Sequence, residues 1–535
     1  MRVRASQAGA IAVGCVLICA CSGGSGGGNG PPPPPPPSTV NVLTYHNDHA
    51  RSGLNPSETV LTPAVVNSGN FGKRGFLAVQ GKVDGEPLYV SNLSVNGAAH
   101  NVVFVVTEHD LVYAFDADTL DQLWQVSVTG ASETPSDDRN CNQISPEIGI
   151  TDTPVIDLSA GAHGAIYLVA MTKDGASNYH QRLHALDLST GAELFGGPTE
   201  IQASYPKQGG TTVFDPKQYD ERQSLLLVGG TLYLGWGSHC DNSPYTGWVM
   251  AYSASTLQQT SVLNITPNGS EGAMWMAGAG MAADTAGNVY VLAGNGTFDT
   301  TLNANGFPIN GDYGNGFLKL TGGLAVADYF AMFNTVNESG SDLDLGSGGV
   351  LLLPDLTDAS NTVRHLAVGA GKDSNIYIVN RDAMGKFNSS SNAIYQEIDG
   401  ALPNGEWAMP AYFNNTVYYG GVGDHLRAFP ISAAKLATAP ASLSAASYNY
   451  PGTTPSVSAN GFANGIVWTV ENNGSGNGVL HAYDATDLSK ELYNSNQAAS
   501  GRDHFNDNKF ITPMIANGKV YVGTPTGVAV FGLLH

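Results

Sequence analysis

Charged side chains are scarce in this chain, and basic ones are scarcer than acidic ones. Only 13% of the 535 residues are charged, and 23 Lys and Arg stand against 45 Asp and Glu, which gives a formal net charge of −22. Such a chain lacks the basic surface that holds phosphate backbones or anionic headgroups. The composition therefore disfavours nucleic acid as a partner. Acidity of this degree is typical of a protein kept soluble outside the cell.

Cysteine is equally rare, and only Cys141 and Cys240 lie beyond the first 21 residues. There is no C-x-x-C-H motif, so no covalently attached c-type haem is expected. No C-x-x-C pair or H-E-x-x-H motif indicates zinc, and no G-x-S-x-G motif indicates a serine hydrolase. Because an oxidising compartment permits disulfides, we expect Cys141 to pair with Cys240.

Long apolar runs are absent apart from one over residues 8–20, which follows Arg2 and Arg4. It is too short for a permanent membrane helix but suits a signal peptide over residues 1–20. The run ends in Ile18-Cys19-Ala20-Cys21, which resembles a bacterial lipobox and implies lipidation of Cys21. A Gly/Ser/Pro-rich tether over residues 21–40 follows. We expect a protein that is lipid-anchored at the outer membrane and faces the periplasm or the cell surface.

Glycine and proline, by contrast, are plentiful, with 66 and 28 residues, which suits many short strands joined by turns. One pattern recurs eight times, at a spacing of roughly 50–75 residues: an apolar strand, a polar loop and a second strand. Clear copies begin at Val103, Ile166 and Val289. The pattern predicts an all-β, eight-bladed β-propeller of four-stranded antiparallel blades over residues 41–535, with seven blades as the alternative. A closed ring of this kind is expected to stand as a monomer.

Two features of the sequence predict where particular strands lie in this ring. Proline stands just before several strands, as in Glu86-Pro87-Leu88 and Met409-Pro410-Ala411, where it costs no central ladder bond, so these are predicted to be the innermost strands. The last repeat stops at Phe531-Gly532, one strand pair short. The segment around Phe76-Leu77-Ala78-Val79 is predicted to supply the missing outer strands and close the ring.

Three sequence segments resemble the pyrroloquinoline-quinone (PQQ) repeat family of propellers. They are Gly149-Ile150-Thr151-Asp152-Thr153-Pro154-Val155-Ile156-Asp157, Leu183-His184-Ala185-Leu186-Asp187-Leu188-Ser189-Thr190-Gly191 and Gly371-Lys372-Asp373-Ser374-Asn375-Ile376-Tyr377-Ile378-Val379-Asn380-Arg381. That family includes quinoprotein alcohol dehydrogenases and non-catalytic lipoproteins that assemble outer-membrane proteins. The resemblance implies eight blades and, in the enzymes, a quinone and a calcium ion near the ring axis.

The resemblance also implies roles for single residues. Asn295, in Gly294-Asn295-Gly296, matches a calcium ligand, and Lys372 matches the basic residue that contacts the quinone. Asp342 or Asp344 falls near the catalytic base, and Asp344 is also a candidate metal ligand. Trp275 lies in the segment that carries the Trp on which the quinone stacks.

Two features of that family's site are not in the sequence. The family's adjacent cysteine pair is missing, and Ser177-Asn178-Tyr179 stands where a calcium-ligating Glu is expected. Without the resemblance, polar residues that flank the inner strands still predict a binding surface at one axial mouth of the ring. Further candidates there are Trp407 as a cofactor contact, and Glu86, Glu147, Asp152, His239 and Glu271.

Two functions follow from these observations. The first is a membrane-anchored propeller that binds a small molecule or a protein at its axial mouth without catalysis, which the two missing features favour. The alternative is a PQQ- and calcium-dependent oxidoreductase acting on alcohols or sugars. Binding of PQQ with calcium, followed by dye reduction, discriminates between them.

Overall fold

The computed structural model describes residues 40–534, which form a closed ring of eight β-sheets. The predicted signal peptide, Cys21 and all but the last residue of the tether lie outside this range. The predicted all-β, eight-bladed propeller is confirmed, and seven blades are excluded. No helix in the described part of the chain has the length and apolarity needed to cross a membrane.

Each blade is an antiparallel sheet whose four main strands follow one another outward from the ring axis. From the innermost strand to the outermost, the blades are: blade 1, Leu88–Val95, Ala98–Val106, Leu111–Asp116, Gln122–Ser127; blade 2, Val155–Asp157, Ala165–Asp174, Tyr179–Asp187, Thr199–Glu200; blade 3, Leu226–Val228, Thr231–Ser238, Trp248–Ser253, Gln259–Asn264; blade 4, Ala282–Ala283, Val289–Leu292, Gly316–Leu320, Val326–Ala331; blade 5, Leu351–Leu352, Leu366–Ala370, Ile376–Asn380, Gln396–Ile398; blade 6, Ala411–Phe413, Thr416–Tyr419, Asp424–Ser432, Ser442–Tyr448; blade 7, Ser456–Asn460, Ala463–Asn472, Gly478–Asp484, Glu491–Asn494; blade 8, Met514–Ala516, Lys519–Thr524, Gly527–Leu533, Phe71–Ala78.

Short elements decorate the loops between these strands. They are the strands Leu54–Asn55, Glu133–Asp137, Glu147–Ile148, Ser204–Lys207, Gly210–Val213, Tyr219–Asp220, Leu356–Thr357, Val363–Arg364 and Lys435–Leu436, the α-helix Thr335–Ser339, and the 3-10 turns Met276–Gly278, Leu345–Ser347, Ser495–Gln497 and Ala499–Gly501.

The second strand of a blade is apolar on both faces because each blade packs between two neighbours. In blade 1 the five residues from Val102 to Val106 are all at most 2% exposed. A strand buried on both sides needs a continuous apolar run rather than alternation, which is the pattern seen in the sequence. Tyrosines on these second strands also tie blades together: the hydroxyls of Tyr167 and Tyr418 donate to the Ala254 and Ala485 carbonyls of the next blade.

The ring closes through its own N-terminal strand, as predicted. Phe71–Ala78 pairs antiparallel with Gly527–Leu533, with Phe76 opposite Ala529. The C-terminal part of the chain supplies three strands of blade 8, so the N-terminal segment adds one strand and not the expected pair. Pairing these two strands removes the exposed edges that an open sheet would leave.

A segment over residues 42–55, here called the axial segment, meets the inner part of every blade in turn. Backbone hydrogen bonds join Val42 to blade 1, Leu43 to blade 2 and His49 to blade 4. Further bonds lead to blades 5 to 8, from Ala50 to Leu352, Ser52 to Tyr412, Gly53 to Val457 and Asn55 to Ile515. The segment therefore cross-links the blades around the axis.

Arg51 belongs to the axial segment, and its side chain provides the contact between this segment and blade 3. The side chain is fully buried, and its guanidinium donates to the carbonyls of Met281 (2.8 Å), Tyr45 (2.8 Å) and Leu225 (3.2 Å) and to Thr44 Oγ1 (2.7 Å). Burial lowers the pKa of Arg51 to about 10. At neutral pH the group is still a cation, held by neutral oxygens rather than by a carboxylate.

His481 is a second buried basic residue, in blade 7. Its Nδ1 lies 2.7 Å from Glu491 Oε1, and its Nε2 lies 3.2 Å from Glu471 Oε2. Burial disfavours the charged imidazole, but the hydrogen bonds to the two carboxylates outweigh this and raise the pKa of His481 above its usual value. The folded state therefore holds the proton of His481 more tightly than the unfolded state does.

This proton makes stability depend on pH. The stabilisation by charged His481 is fully present below the unfolded-state pKa of about 6.5, and it is lost as the pH rises through the raised folded-state pKa. We expect the difference in free energy of unfolding between the wild type and a His481→Gln variant to be largest below about pH 6.5. Urea unfolding curves at a series of pH values measure this difference. A difference that does not change with pH would contradict the assignment.

Candidate functional site

The candidate site is built from two positions that recur in every blade. One is the loop before the innermost strand, and the other is the loop after the second strand. Because these two strands are antiparallel, the start of the first and the end of the second lie at the same end of the blade. Eight blades therefore bring these loops together around the axis at one end of the ring.

The loops enclose a cavity of about 180 Å³, here called the axial cavity. Blades 3 and 5 contribute polar groups from both positions, blade 4 contributes Trp275 from the first and Asn295 from the second, and blades 6 to 8 contribute aromatic rings. Its wall consists of Cys141, Gln143, Ile144, Ile148, Asp220, Arg222, Ser238, His239, Cys240, Asp241, Trp275, Ala277, Asn295, Asp344, Ser347, Lys372, Trp407, Tyr450 and Phe510.

Lys372 lies at the centre of a hydrogen-bonded cluster of side chains in this wall. Its Nζ lies 2.6 Å from Asp342 Oδ1 and 2.8 Å from Asp344 Oδ2. Asp342 Oδ1 also accepts a hydrogen bond from Asn295 Nδ2 at 2.7 Å. Four residues that the sequence predicted as site residues are thereby linked. Asp342 is largely exposed at the rim, with 74% of its side chain accessible, whereas only 5% of the Asp344 side chain is accessible.

Asp344 and Asn295 each keep one oxygen without a partner. Asp344 Oδ1 and Asn295 Oδ1 are buried and accept no hydrogen bond from the described protein. Burial raises the pKa of Asp344 to about 6, although the adjacent Lys372 ammonium acts in the opposite direction. Because an unpaired buried polar atom is costly, two of them on one cavity wall indicate a place where a ligand completes the structure.

Trp275 forms part of the wall because glycines leave room for its ring. A Cβ atom on Gly237 would lie 3.0 Å from Trp275 Cε3, and one on Gly294 would lie 2.7 Å from Trp275 Cδ1. Only glycine lets the indole pack directly against the backbone of blades 3 and 4. Its position is therefore fixed by the backbone on both sides.

An arc of aromatic rings lines another part of the cavity. Trp407 contacts Tyr450 edge to face, and Tyr450 contacts Phe510 in the same way, with ring centroids 6.0 Å apart in both pairs. The Lys372 ammonium lies 5.9 Å from the Trp407 ring centroid. The cavity thus joins flat apolar surfaces to a small polar cluster, as ligand sites for planar molecules do.

The predicted disulfide between Cys141 and Cys240 is confirmed, and it lies in the wall of the axial cavity. Cys141 belongs to the long loop before blade 2, and Cys240 follows the second strand of blade 3. The bond holds the loop that carries Gln143 and Ile144 against the cavity. The sequence predicted this bond but not its location.

The other predicted mouth residues are distributed around this cavity. His239 is in the wall; burial lowers its pKa, and its buried Nε2 has no hydrogen-bond partner. Glu86 lines a neighbouring cavity of about 30 Å³, where it accepts a hydrogen bond from His46 N, and burial raises its pKa to about 8. Asp152 is fully buried behind the wall, and burial raises its pKa far above the usual value.

Glu147 and Glu271 stand beside the cavity rather than in its wall. Glu147 pairs with His109 Nδ1 at 2.8 Å. Burial and the charges of Asp241 and Asp342 raise the pKa of Glu271. Glu271 lies near Asn295, since its backbone pairs with Gly296, but it is not a wall residue.

Several wall residues were missed in the sequence, notably Asp220, Arg222, Asp241, Tyr450 and Phe510. Aligning the sequence repeats of the blades with one another would have identified these residues, because they occupy equivalent positions. Asp241 follows the second strand of blade 3 just as Asn295 does in blade 4, and Phe510 precedes the inner strand of blade 8 as Trp407 does in blade 6.

The described chain offers little for a metal ion by itself. No group of three or more His, Cys, Asp or Glu side chains within residues 40–534 is arranged to hold a metal. Asn295 Oδ1 and Asp344 Oδ1 are nevertheless unpartnered. Asp241 also lines the cavity, and its charge helps to raise the pKa of Asp344.

Comparison with solved structures finds similar propellers. The quinohemoprotein alcohol dehydrogenase from Comamonas testosteroni has a TM-score of 0.61 at 15% identity, covering 92% of this chain and 80% of that chain. For the quinohemoprotein alcohol dehydrogenase from Pseudomonas putida HK5, the TM-score is 0.58 at 14% identity, with coverage of 92% and 80%. A europium-containing methanol dehydrogenase has a TM-score of 0.58 at 13% identity, with coverage of 93% and 98%.

The chain has the propeller fold of these dehydrogenases. No protein-family model and no curated protein matches the sequence. At such low identity the shared feature is the fold, and the arguments for function come from the axial cavity itself.

Proposed function

We propose that the protein is an oxidoreductase that binds PQQ together with a calcium-like cation in the axial cavity and oxidises an alcohol or a sugar. The observation that carries this proposal is the joint presence of Lys372, Asp344, Asn295, Trp275 and Trp407 in one cavity. The sequence resemblance implies a quinone site for the first four of these residues, and the position of Trp407 before an inner strand independently predicts a cofactor contact. Structural similarity to dehydrogenases supports the proposal at the level of the fold.

The wall suits a planar, polar molecule. Trp275, Trp407 and the disulfide supply apolar surface, on which flat rings stack favourably. Lys372 would contact an oxygen at the edge of the ring, since its ammonium faces the cavity beside Trp407. The same arrangement of apolar faces and few polar groups would exclude water from the bound ring.

The wall suits a cation only when the organic ligand is also bound. Calcium takes six to eight oxygen ligands, whereas the protein offers Asn295 Oδ1 and the nearby Asp241 carboxylate, because Asp344 Oδ1 is kept free as the proton acceptor. Oxygens of the bound quinone would have to complete the shell. Cation and quinone should therefore bind jointly, each increasing the affinity for the other.

The chain's own residues supply the acid–base chemistry. Oxidation of an alcohol to a carbonyl compound removes two electrons and two protons. Asp344 would accept the hydroxyl proton at Oδ1, because this oxygen is unpartnered and a pKa of about 6 leaves the group ionised at neutral pH. Lys372 holds Oδ2 and so fixes the orientation of the carboxylate. When bound, the quinone would supply the acceptor for the two electrons and for the second proton, and the cation would supply an electrophile.

Joint binding is the direct test. We expect calorimetric titration with PQQ in the presence of calcium to give one site per chain, and its affinity to fall at least about tenfold when calcium is removed by a chelator. A Lys372→Ala variant should lose most of this affinity, and the loaded wild type should reduce a dye with primary alcohols or sugars. Absence of PQQ binding at any calcium concentration would refute the proposal. Binding without dye reduction would favour the non-catalytic binding propeller instead.

A further inference from the structure

Arg222 is a cation in the axial cavity wall whose guanidinium forms no hydrogen bond with any described residue. Its Nε is buried and donates no hydrogen bond, and within residues 40–534 its guanidinium forms no ion pair. Asp220 is close enough for the charge of Arg222 to lower its pKa, against the larger effect of burial, but the two form no salt bridge. An unpaired guanidinium donor in a buried position is costly.

The other arginines of the described chain are paired. Arg139, Arg182, Arg364, Arg381, Arg427 and Arg502 each form an ion pair with a carboxylate, Arg51 donates to four oxygens, and Arg74 donates to the carbonyls of Leu533 and Leu534. Lys372, the other cation of the axial cavity, is held by Asp342 and Asp344. Arg222 therefore differs from Lys372 in that no described residue accepts a hydrogen bond from its guanidinium.

Phe510 keeps this guanidinium in place. The Arg222 Cζ lies 4.7 Å from the Phe510 ring centroid. Stacking of this kind holds the face of the guanidinium and leaves the donors at its edge available. Arg222 and Phe510 line both the axial cavity and the neighbouring cavity of about 30 Å³, so the available edge lies where the two cavities meet.

We propose that Arg222 binds a carboxylate of the molecule that occupies the axial cavity. Arginine matches the geometry of a carboxylate with two parallel hydrogen bonds. This inference rests on the proposed function, and it adds the anionic character of the ligand. The carboxylate can belong to the quinone, since PQQ is a polycarboxylate, or to an acidic substrate such as a hydroxy acid.

A matched pair of probes tests the inference without any quinone. Quinoline-2-carboxylate and neutral quinoline share a flat ring and differ by one carboxylate. We expect calorimetry to show that the wild type binds the acid at least about tenfold more tightly. Arg222→Gln should abolish this preference, and Arg222→Lys should keep part of it. Arg364→Gln is the control, because Arg364 also lies over a ring, that of Tyr395, but is paired with Asp358 away from the cavity.

The outcomes separate this inference from the proposed function. An unchanged preference in Arg222→Gln, or no binding of the acid by the wild type, would overturn it. A preference that depends on Arg222 would support it even if PQQ does not bind. If PQQ binds, a tenfold or greater loss of PQQ affinity in Arg222→Gln assigns the carboxylate to the quinone. Unchanged PQQ affinity with a raised KM for hydroxy acids, but not for neutral alcohols, assigns it to the substrate.

Discussion

An Asp344→Asn variant loaded with PQQ and calcium is expected to oxidise alcohols about 10² to 10⁴ times more slowly than the wild type. The reason is local: Asp344 Oδ1 is the buried, unpartnered carboxylate oxygen of the axial cavity, and its pKa of about 6 suits a general base at neutral pH. Asparagine keeps the shape of the side chain and can still accept from Lys372, but it cannot accept a proton. The measurement is dye-linked turnover at saturating alcohol.

Asp342→Asn provides the matched control, since the sequence alone left Asp342 and Asp344 as alternative bases. Asp342 contacts the same Lys372 ammonium but lies at the exposed rim. We expect its replacement to slow turnover by less than about tenfold. A larger loss in Asp342→Asn than in Asp344→Asn would assign the base to Asp342 and contradict the account given for Asp344. PQQ affinity, measured for both variants, shows whether a loss arises from binding.

An Arg51→Met variant is expected to lower the free energy of unfolding by about 4 kcal/mol. Methionine fills much of the volume but leaves the carbonyls of Met281, Leu225 and Tyr45 without their donor in a fully buried place. These carbonyls belong to the axial segment and to blades 3 and 4, so the loss affects the centre of the ring. Denaturant unfolding measures the change.

The control for Arg51 is Arg364→Met, which removes a partly exposed ion pair with Asp358. Pairs of this kind contribute about 0–1 kcal/mol. Arg51→Lys retains the charge and some of the donors, so its stability should lie between those of the wild type and Arg51→Met. If Arg51→Met folds and its free energy of unfolding lies within about 1 kcal/mol of the wild-type value, the axial segment does not have the structural role given to it here.

The propeller could be predicted because the same sequence pattern recurs in every blade. Apolar second strands such as Val102–Val106 are buried on both faces, which makes each copy visible as a continuous apolar run. Ring closure was also predictable, because the last repeat ends before its outer strand. The axial segment was not, since its bonds run from a single stretch to all eight blades and leave no periodic trace.

The shared location of some candidate residues was predictable, although their roles stay predictions. Asn295, Asp344, Lys372 and Trp275 lie in one wall as the family resemblance implied. Arg222 was missed because its importance depends on what it lacks, namely a partner for the guanidinium among the described residues. Absence of a partner is a property of packing, and no local sequence pattern records it.

A crystal structure of the protein grown with PQQ and calcium tests the central claim most directly. The account predicts a flat ring in the axial cavity between its aromatic walls, in contact with Lys372, and an ion bound to Asn295 Oδ1. A cavity that is closed by its own side chains, or that holds neither the ring nor the ion at saturating concentrations of both, would contradict it.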